Sequence, residues 1–128
     1  ADRAYAMAGV GPDDIDVAEV HDATSFCEVY QVEMMGFCEI GQGGPFIADG
    51  NTMLDGRIPV NTSGGLVSKG HPVGATGLSM IAELTAQLRG EAGARQVKDP
   101  RLALAENGGG VIGLEEAAAC ITILEKDS

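Results

Sequence analysis

The segment that most constrains the fold is a glycine-rich loop, SGGLVSKGHPVGATG at 63–77, which runs directly into an amphipathic stretch at 78–93. Glycine allows backbone conformations that other residues avoid, so this loop predicts an irregular turn that opens a helix. Ile81, Leu84 and Leu88 recur at helical spacing and predict one apolar face of that helix. We therefore expect a loop and helix that pack on other elements.

Strand and helix patterns alternate along the rest of the chain. The other predicted elements are a helix at 1–9, a strand at 16–22, a helix at 24–37, an extended piece at 57–61, and strands at 101–107 and 117–124. The last two strands are joined by a short loop, which favours antiparallel pairing. From the first strand onward the order is β-α-β-α-β-β. This order predicts an α/β layered domain with a mixed sheet, formed by residues 1–128 as one unit.

The charge of the chain limits its partners. Its 128 residues hold 19 acidic and eight basic side chains, for a net charge of −11, so we expect no nucleic-acid partner. The longest mainly apolar stretch is far shorter than the roughly 20 residues that a membrane-spanning helix needs, so we expect no membrane span.

The cysteines indicate the compartment. Three cysteines form no CxxC pair, which argues against a disulfide framework and a metal cluster and favours a cytoplasmic location. Cys120 lies in an apolar stretch and is expected to be buried.

Polar residues follow three predicted strands or loops. His21 and Asp22 end the first strand, His71 lies between a glycine and a proline, and Glu106 precedes the glycines at 108–110. Ligands bind at strand ends in open α/β sheets, so the three junctions would form one site if those ends converge. No GxxxxGK[ST] motif occurs, and nucleotide-triphosphate chemistry is therefore unsupported.

The residues alone leave the role of each group open. His71 could be a rigidly held general base or a turn histidine bonded to the backbone. His21 could act in a site or be a buried, satisfied histidine, and Asp22 is favoured as the N-cap of the following helix. Glu106 could cap the glycine loop or place a carboxylate in the site. The glycine run at 108–113 could supply N–H groups to an oxyanion hole or form a plain hairpin loop.

Three segments carry a family resemblance. NTSGGLVSKGHPVGATG, AQLRGEAGARQV and the HD pair that ends a strand resemble the thiolase superfamily, most closely the sterol-carrier-protein-x (lipid-transfer-protein) and archaeal types. The resemblance extends over nearly the whole chain, as the C-terminal half of a thiolase subunit. It implies acyl-CoA thioesters as substrates, with coenzyme A as the leaving or attacking group and no permanently bound cofactor. It also implies a separate N-terminal half that carries the nucleophilic cysteine, and an oligomer of the full-length enzyme.

The resemblance assigns roles to particular residues. It makes His71 the base that activates the cysteine and helps to bind the thioester oxygen. His21 stands where degradative thiolases have the Asn of their NEAF motif, and would hold a water in the first oxyanion hole. Gly108 matches the glycine whose backbone N–H contributes to the second oxyanion hole.

Two positions depart from the family pattern. Glu106 replaces the cysteine of the CxG motif of degradative thiolases, and Ala23 replaces the cysteine of the HDCF motif of sterol-carrier types. Archaeal-type relatives also have HDA, so acyl transfer stays compatible with the sequence. Glu106 is the best candidate for the group that moves the Cα proton, and Cys27 is a weaker one. Two alternatives stay open: a thiolase-fold C–C lyase such as the steroid side-chain aldolases, and a non-catalytic assembly module.

Overall fold

A computed structural model describes residues 1–110, 112 and 117–127. The helices are α1 (Asp2–Ala8), α2 (Ser25–Met34), α3 (Gly43–Ala48), α4 (Gly65–Lys69) and α5 (Thr76–Arg89), and the strands are β1 (Val17–Glu19), β2 (Leu102–Gly109) and β3 (Ala118–Glu125). The described strands form one mixed sheet in the order β1-β2-β3. β1 pairs parallel with β2, and β2 pairs antiparallel with β3. The predicted α/β class with a mixed sheet is confirmed.

The short strand β1 lies at the centre of the packing, because both of its faces are buried. Val17 packs with Leu84 of α5 in one apolar cluster, whereas Ala18 and Val20 pack with Val32 of α2 in the other. Successive side chains of a strand point to opposite faces, so this division places α5 on one side of the sheet and α2 on the other. The result is a layered arrangement that fixes the end of β1, where His21 follows.

Two glycines end helices, and the first does so where the sequence predicts. Gly9 follows α1 with φ 72°, and Gly90 follows α5 with φ 74°, both in the left-handed conformation that favours glycine. The helix predicted in 78–93 therefore begins slightly earlier, at Thr76, and stops before Gly90. Its Leu84 is fully buried, as the apolar spacing indicates.

The extended piece at 57–61 does not form a strand. It contributes one isolated parallel bridge between Val60 and Ala18. Pro59 accepts a hydrogen bond from the Ala18 N–H but has no N–H to donate, and Asn61 turns the chain away with φ 55°. The predicted β-α-β-α-β-β order is therefore reduced to three strands in the described chain, with α3 and α4 added in stretches where we predicted only loops.

Two apolar side chains, those of Phe26 and Cys120, are exposed rather than packed in the core. α2 forms as its spacing predicts, yet Phe26 is 71% exposed and stacks on Tyr30, with ring centroids 6.3 Å apart. Cys120 is also exposed, so its predicted burial is wrong. It belongs to β3, the last strand of the sheet, which pairs on one side with β2. Apolar spacing thus identified the elements but not which of their faces is covered.

Within the described chain, the helices are too short or too polar to cross a bilayer.

The packing of α5 on the sheet predicts a large difference between two leucines of that helix. Leu84→Ala should lower the free energy of unfolding by about 2–5 kcal/mol, because it leaves a cavity at a fully buried position. Leu78 lies on the same helix and is 73% exposed, so Leu78→Ala is the matched control and should change it by about 0.5 kcal/mol or less. Urea unfolding measures both, and equal effects would contradict the assigned helix orientation.

Candidate active site

The two histidines of the chain meet in the structure. The ring centroids of His21 and His71 are 4.8 Å apart, and the ring planes are nearly perpendicular at 88°. The residues are 50 positions apart in the sequence and reach each other from different elements, the end of β1 and the loop before α5. Two of the side chains that the sequence singles out, one at a strand end and one in the loop, thus lie in contact.

His21 is held from β2, the neighbouring parallel strand. Its backbone N–H donates to Glu106 Oε2 at 2.9 Å, and its ring Nδ1 lies 3.2 Å from Asn107 Oδ1. An amide oxygen only accepts hydrogen bonds, so this contact places a proton on Nδ1, and in the neutral imidazole the lone pair is then on Nε2. His21 is both buried and satisfied, and its ring has a defined orientation toward His71.

Glu106 and Gly108 lie within β2. Glu106 is fully buried, and one of its carboxylate oxygens accepts the His21 amide proton. Gly108 pairs with Ala119 of β3, so the strand continues through the first glycines of the predicted loop and turns at Gly110, with φ 69°. The last residues of the run at 108–113 include positions outside the described residues, and the predicted hairpin loop lies mainly there.

His71 is anchored to the first turn of α5. Its Nδ1 lies 2.7 Å from Thr76 Oγ1, and the same hydroxyl lies 3.3 Å from the carbonyl oxygen of Pro72. The hydroxyl has one proton; if it goes to the Pro72 carbonyl, Oγ1 accepts the Nδ1 proton of His71. In that arrangement Nε2 of His71 carries the free lone pair, which is the state a general base requires.

Asp22 caps a helix, but not the one that follows it. Its carboxylate accepts hydrogen bonds from the N–H groups of Leu66 at 2.6 Å and Val67 at 3.4 Å, at the start of α4. Thr24 is the N-cap of α2 instead and accepts from the Cys27 N–H. The interpretation of Asp22 as the cap of the following helix is therefore wrong, because a backbone 44 positions away lies closer to its carboxylate.

Glu19 is a site residue that the sequence analysis did not single out. It is fully buried on β1, and its carboxylate accepts from the Ser63 N–H at 3.0 Å and from the Ser63 hydroxyl at 2.6 Å. Burial raises the pKa of Glu19, although the bonds from Ser63 and the charge of Lys69 oppose that rise. The available signal was the alternation of Val17, Glu19 and His21, which places Glu19 on the same side of the strand as His21.

A half-buried carboxylate, that of Glu28, supports the loop that precedes Ser63. Asn61 accepts from the Val20 N–H at 2.9 Å and donates to Glu28 at 3.2 Å. Burial raises the pKa of Glu28, while the bond from Asn61 lowers it. The loop thus approaches the histidines with its polar groups satisfied by β1 and α2.

Two further observations concern other candidates. Cys27, the weaker candidate for proton transfer, is half-buried, with its Sγ 3.3 Å from Thr24 Oγ1. In the part of the chain that the structure describes, no three His, Cys, Asp or Glu side chains are grouped so that they could hold a metal ion.

Comparison with known proteins identifies a family. A family model described as thiolase C-terminal domain-like matches residues 1–126. The chain is 50% identical over 113 residues to an acetyl-CoA acetyltransferase of Methanothermobacter thermautotrophicus, with 88% of the chain and 30% of that protein covered. It is 46% identical to sterol carrier protein 2 of Homo sapiens over 128 residues, with 93% of the chain and 23% of that protein covered.

Further matches agree with these. The chain is 38% identical to the benzoylsuccinyl-CoA thiolase subunit BbsB of Thauera aromatica, with 86% of the chain and 29% of that subunit covered. A solved structure described as an Ltp2-ChsH2(DUF35) aldolase superposes with a TM-score of 0.82 at 31% identity, and the match covers 99% of this chain and 31% of that one. The chain therefore spans less than a third of the length of the proteins it matches.

Because Asp22 caps α4, we predict that replacing Gly65 destabilises the protein. Gly65 has φ 62°, and a Cβ there would lie 2.2 Å from Asp22 Oδ2, so Gly65→Ala must displace the carboxylate as well as strain the backbone. Gly90→Ala is the control, because Gly90 has φ 74° with no atom in the way.

We expect Gly90→Ala to lower the free energy of unfolding by about 1–2 kcal/mol, from backbone strain alone. Gly65→Ala should cost about 1.5–3 kcal/mol more, since charged hydrogen bonds are lost as well. Urea unfolding compares the two variants, and an equal loss would contradict the Asp22 contact.

Proposed function

Since the chain belongs to the thiolase C-terminal domain-like family, we propose that it is the C-terminal half of an acyl-CoA acyltransferase of thiolase type. The full-length protein would catalyse thiolysis of 3-ketoacyl-CoA or the reverse Claisen condensation. The observation that carries this proposal is the contact of His21 with His71, whose ring centroids are 4.8 Å apart. The acetyl-CoA acetyltransferase and sterol carrier protein 2 relatives support it.

In this proposal His71 is the general base. Its Nδ1 is bound to Thr76, so Nε2 would take the proton from a cysteine thiol supplied by the preceding half of the protein. The thiolate then attacks the ketone carbon, and the carbon–carbon bond breaks to leave an acyl-cysteine and an acetyl-CoA carbanion. Protonation of that carbanion and attack of coenzyme A on the acyl-cysteine complete the cycle.

His21 and Gly108 would stabilise the negative charge that develops on the thioester and ketone oxygens. With its proton on Nδ1, His21 offers the Nε2 lone pair to a water, and the second proton of that water is free to bind the thioester oxygen. Gly108 would donate its backbone N–H to the second oxyanion hole. The positions of both residues near the end of the β1–β2 pair support this division of roles.

The remaining parts of the proposal concern partners. Coenzyme A thioesters would be substrates, and no cofactor would be permanently bound. The chain would be inactive alone and would work with the N-terminal half of the same protein, as a cytoplasmic homo-oligomer. Its relatives are about three to four times its length, which supports the requirement for another half.

A second candidate is a thiolase-fold C–C lyase. The aldolase with a TM-score of 0.82 favours it, as does the lack of a cysteine at Ala23 and Glu106. The two candidates differ in one requirement, because aldol cleavage proceeds without free coenzyme A and thiolysis consumes it.

Replacement of His71 tests the proposed function. In the full-length protein, His71→Ala should lower kcat for CoA-dependent cleavage of a 3-ketoacyl-CoA by about 10²–10⁴-fold, the usual contribution of a general base. Lys98→Ala, at an exposed position, is the control and should keep the wild-type rate. An unchanged rate in His71→Ala would reject the assigned role, and cleavage independent of coenzyme A in the wild type would favour the lyase.

Glu106 has two possible roles, and one substitution separates them. Its proton-transfer role stays a prediction, whereas its complete burial and its bond to the His21 amide favour a role in positioning His21. Glu106→Gln keeps an oxygen that can accept the His21 N–H but cannot exchange a proton. We therefore expect kcat to fall by less than about 10-fold; a loss of about 10²-fold or more in a folded variant would assign the proton transfer to Glu106.

A further inference from the structure

The segment that leads to His71 is bound to β1 at both of its ends by one buried carboxylate. Glu19 accepts two hydrogen bonds from Ser63, which precedes α4. Lys69, the last residue of α4, donates from its ammonium to the Ser63 hydroxyl at 2.6 Å and lies 3.6 Å from Glu19 Oε2. The Ser63 hydroxyl thus accepts from Lys69 and donates to Glu19, so that the three groups form one directed chain.

The hydrogen-bonded group of Glu19, Ser63 and Lys69 connects two backbone segments, each of which reaches a histidine within two residues. Lys69 is two residues before His71, with Gly70 between them at φ 95°. Glu19 is the last residue of β1, two residues before His21. A displacement of Lys69 relative to Glu19 would therefore change the distance between the imidazoles directly.

Burial of the Glu19 carboxylate beside Lys69 costs free energy, so the charge pair needs a reason other than stability. Glu19 is fully buried, while the Lys69 side chain is 26% exposed, so folding desolvates the carboxylate more than it desolvates the ammonium. A buried charge pair seldom adds net stability over apolar residues of similar volume. Its alternative value is a fixed geometry, and displacements of about 1 Å at a reacting centre can lower a rate by about 10²-fold.

We propose that Glu19, with Ser63 and Lys69, is a positioning residue that sets the placement of His71 against His21. This inference rests on the proposed function for its effect on rate, but not for its effect on the contact between the rings. Glu19 itself touches no substrate in this account. The contacts of Glu19 with Ser63 and Lys69 act together with the hydrogen bonds from the start of α4 to Asp22. Both ends of α4 are therefore bound to β1 and to the residues that directly follow it.

Substitutions of Glu19, Ser63 and Lys69 test the proposal in the full-length protein. Lys69→Met removes the ammonium, Ser63→Ala removes the hydroxyl link, and Glu19→Gln removes the charge at constant shape. Glu33→Gln is the matched control, because Glu33 is also a carboxylate that accepts a backbone amide, from Gly43 at the start of α3 at 2.7 Å, in a different part of the protein.

Two measurements are made on each variant: the NMR cross-peak between the ring protons of His21 and His71, and kcat and KM for 3-ketoacyl-CoA cleavage. In Lys69→Met and Ser63→Ala the cross-peak should weaken and kcat should fall by about 10–10²-fold, while KM changes less than about 3-fold. Lys69→Arg, which keeps a cation and its N–H donors, should recover most of both. Glu33→Gln should change neither.

The outcomes separate this proposal from the proposed function. A wild-type cross-peak and kcat in folded Lys69→Met and Ser63→Ala would overturn the positioning role, even if Glu19→Gln does not fold. If the cross-peak is lost in those variants and the wild-type protein shows no thiolysis activity, the positioning role is supported and the acyltransferase is rejected.

Discussion

The parallel pairing of β1 with β2 is the interaction on which the rest of the structure depends. Only three residues of β1 pair, Val17 with Ala103, Ala18 with Leu104 and Glu19 with Ala105, yet all of them are buried. Because the strands are parallel, the residues that follow them emerge at the same edge of the sheet. That edge is where His21 meets the side chains of Glu106 and Asn107.

Carboxylates next to this edge accept hydrogen bonds from backbone N–H groups that would otherwise lack a partner. The irregular segments around the histidines contain backbone N–H groups that no helix or strand satisfies, and an unsatisfied buried amide costs about 1–3 kcal/mol. Glu19, Asp22 and Glu106 each accept such an amide, from Ser63, from the start of α4 and from His21 respectively. Acidic side chains thus contribute directly to the order of the loops around the histidines.

Local signals in the sequence predict most of the elements. The glycine after α1, the apolar spacing of α5 and the polar residues at strand ends each depend on neighbours within a few positions, and each agrees with the structure. The family resemblance carried by the segment at 61–77, by AQLRGEAGARQV and by the HD pair is confirmed by the family model, which matches residues 1–126. His21, His71 and Glu106 were therefore identifiable from the sequence, whereas Glu19 was not, and the catalytic roles stay predictions.

Contacts between distant positions could not be predicted. Asp22 binds an amide 44 positions away, and Glu106 accepts from an amide 85 positions away, so neither partner is visible in a short window. β2 continues into the glycines because β3 pairs with Gly108 and Gly109, although glycine itself disfavours strands. Phe26 is exposed although its helical spacing matches that of buried residues, because a local pattern does not say which surface another element covers.

A double-mutant cycle on His21 and His71 tests most directly the central claim, that the two histidines act in one site. The kcat/KM for 3-ketoacyl-CoA cleavage is measured for the full-length wild type, His21→Ala, His71→Ala and the double variant. Since the rings touch and are proposed to serve the same reaction, we predict that the double variant loses much less than the product of the two single losses, with a coupling of about 0.5–3 kcal/mol. Fully multiplicative losses would contradict a shared site.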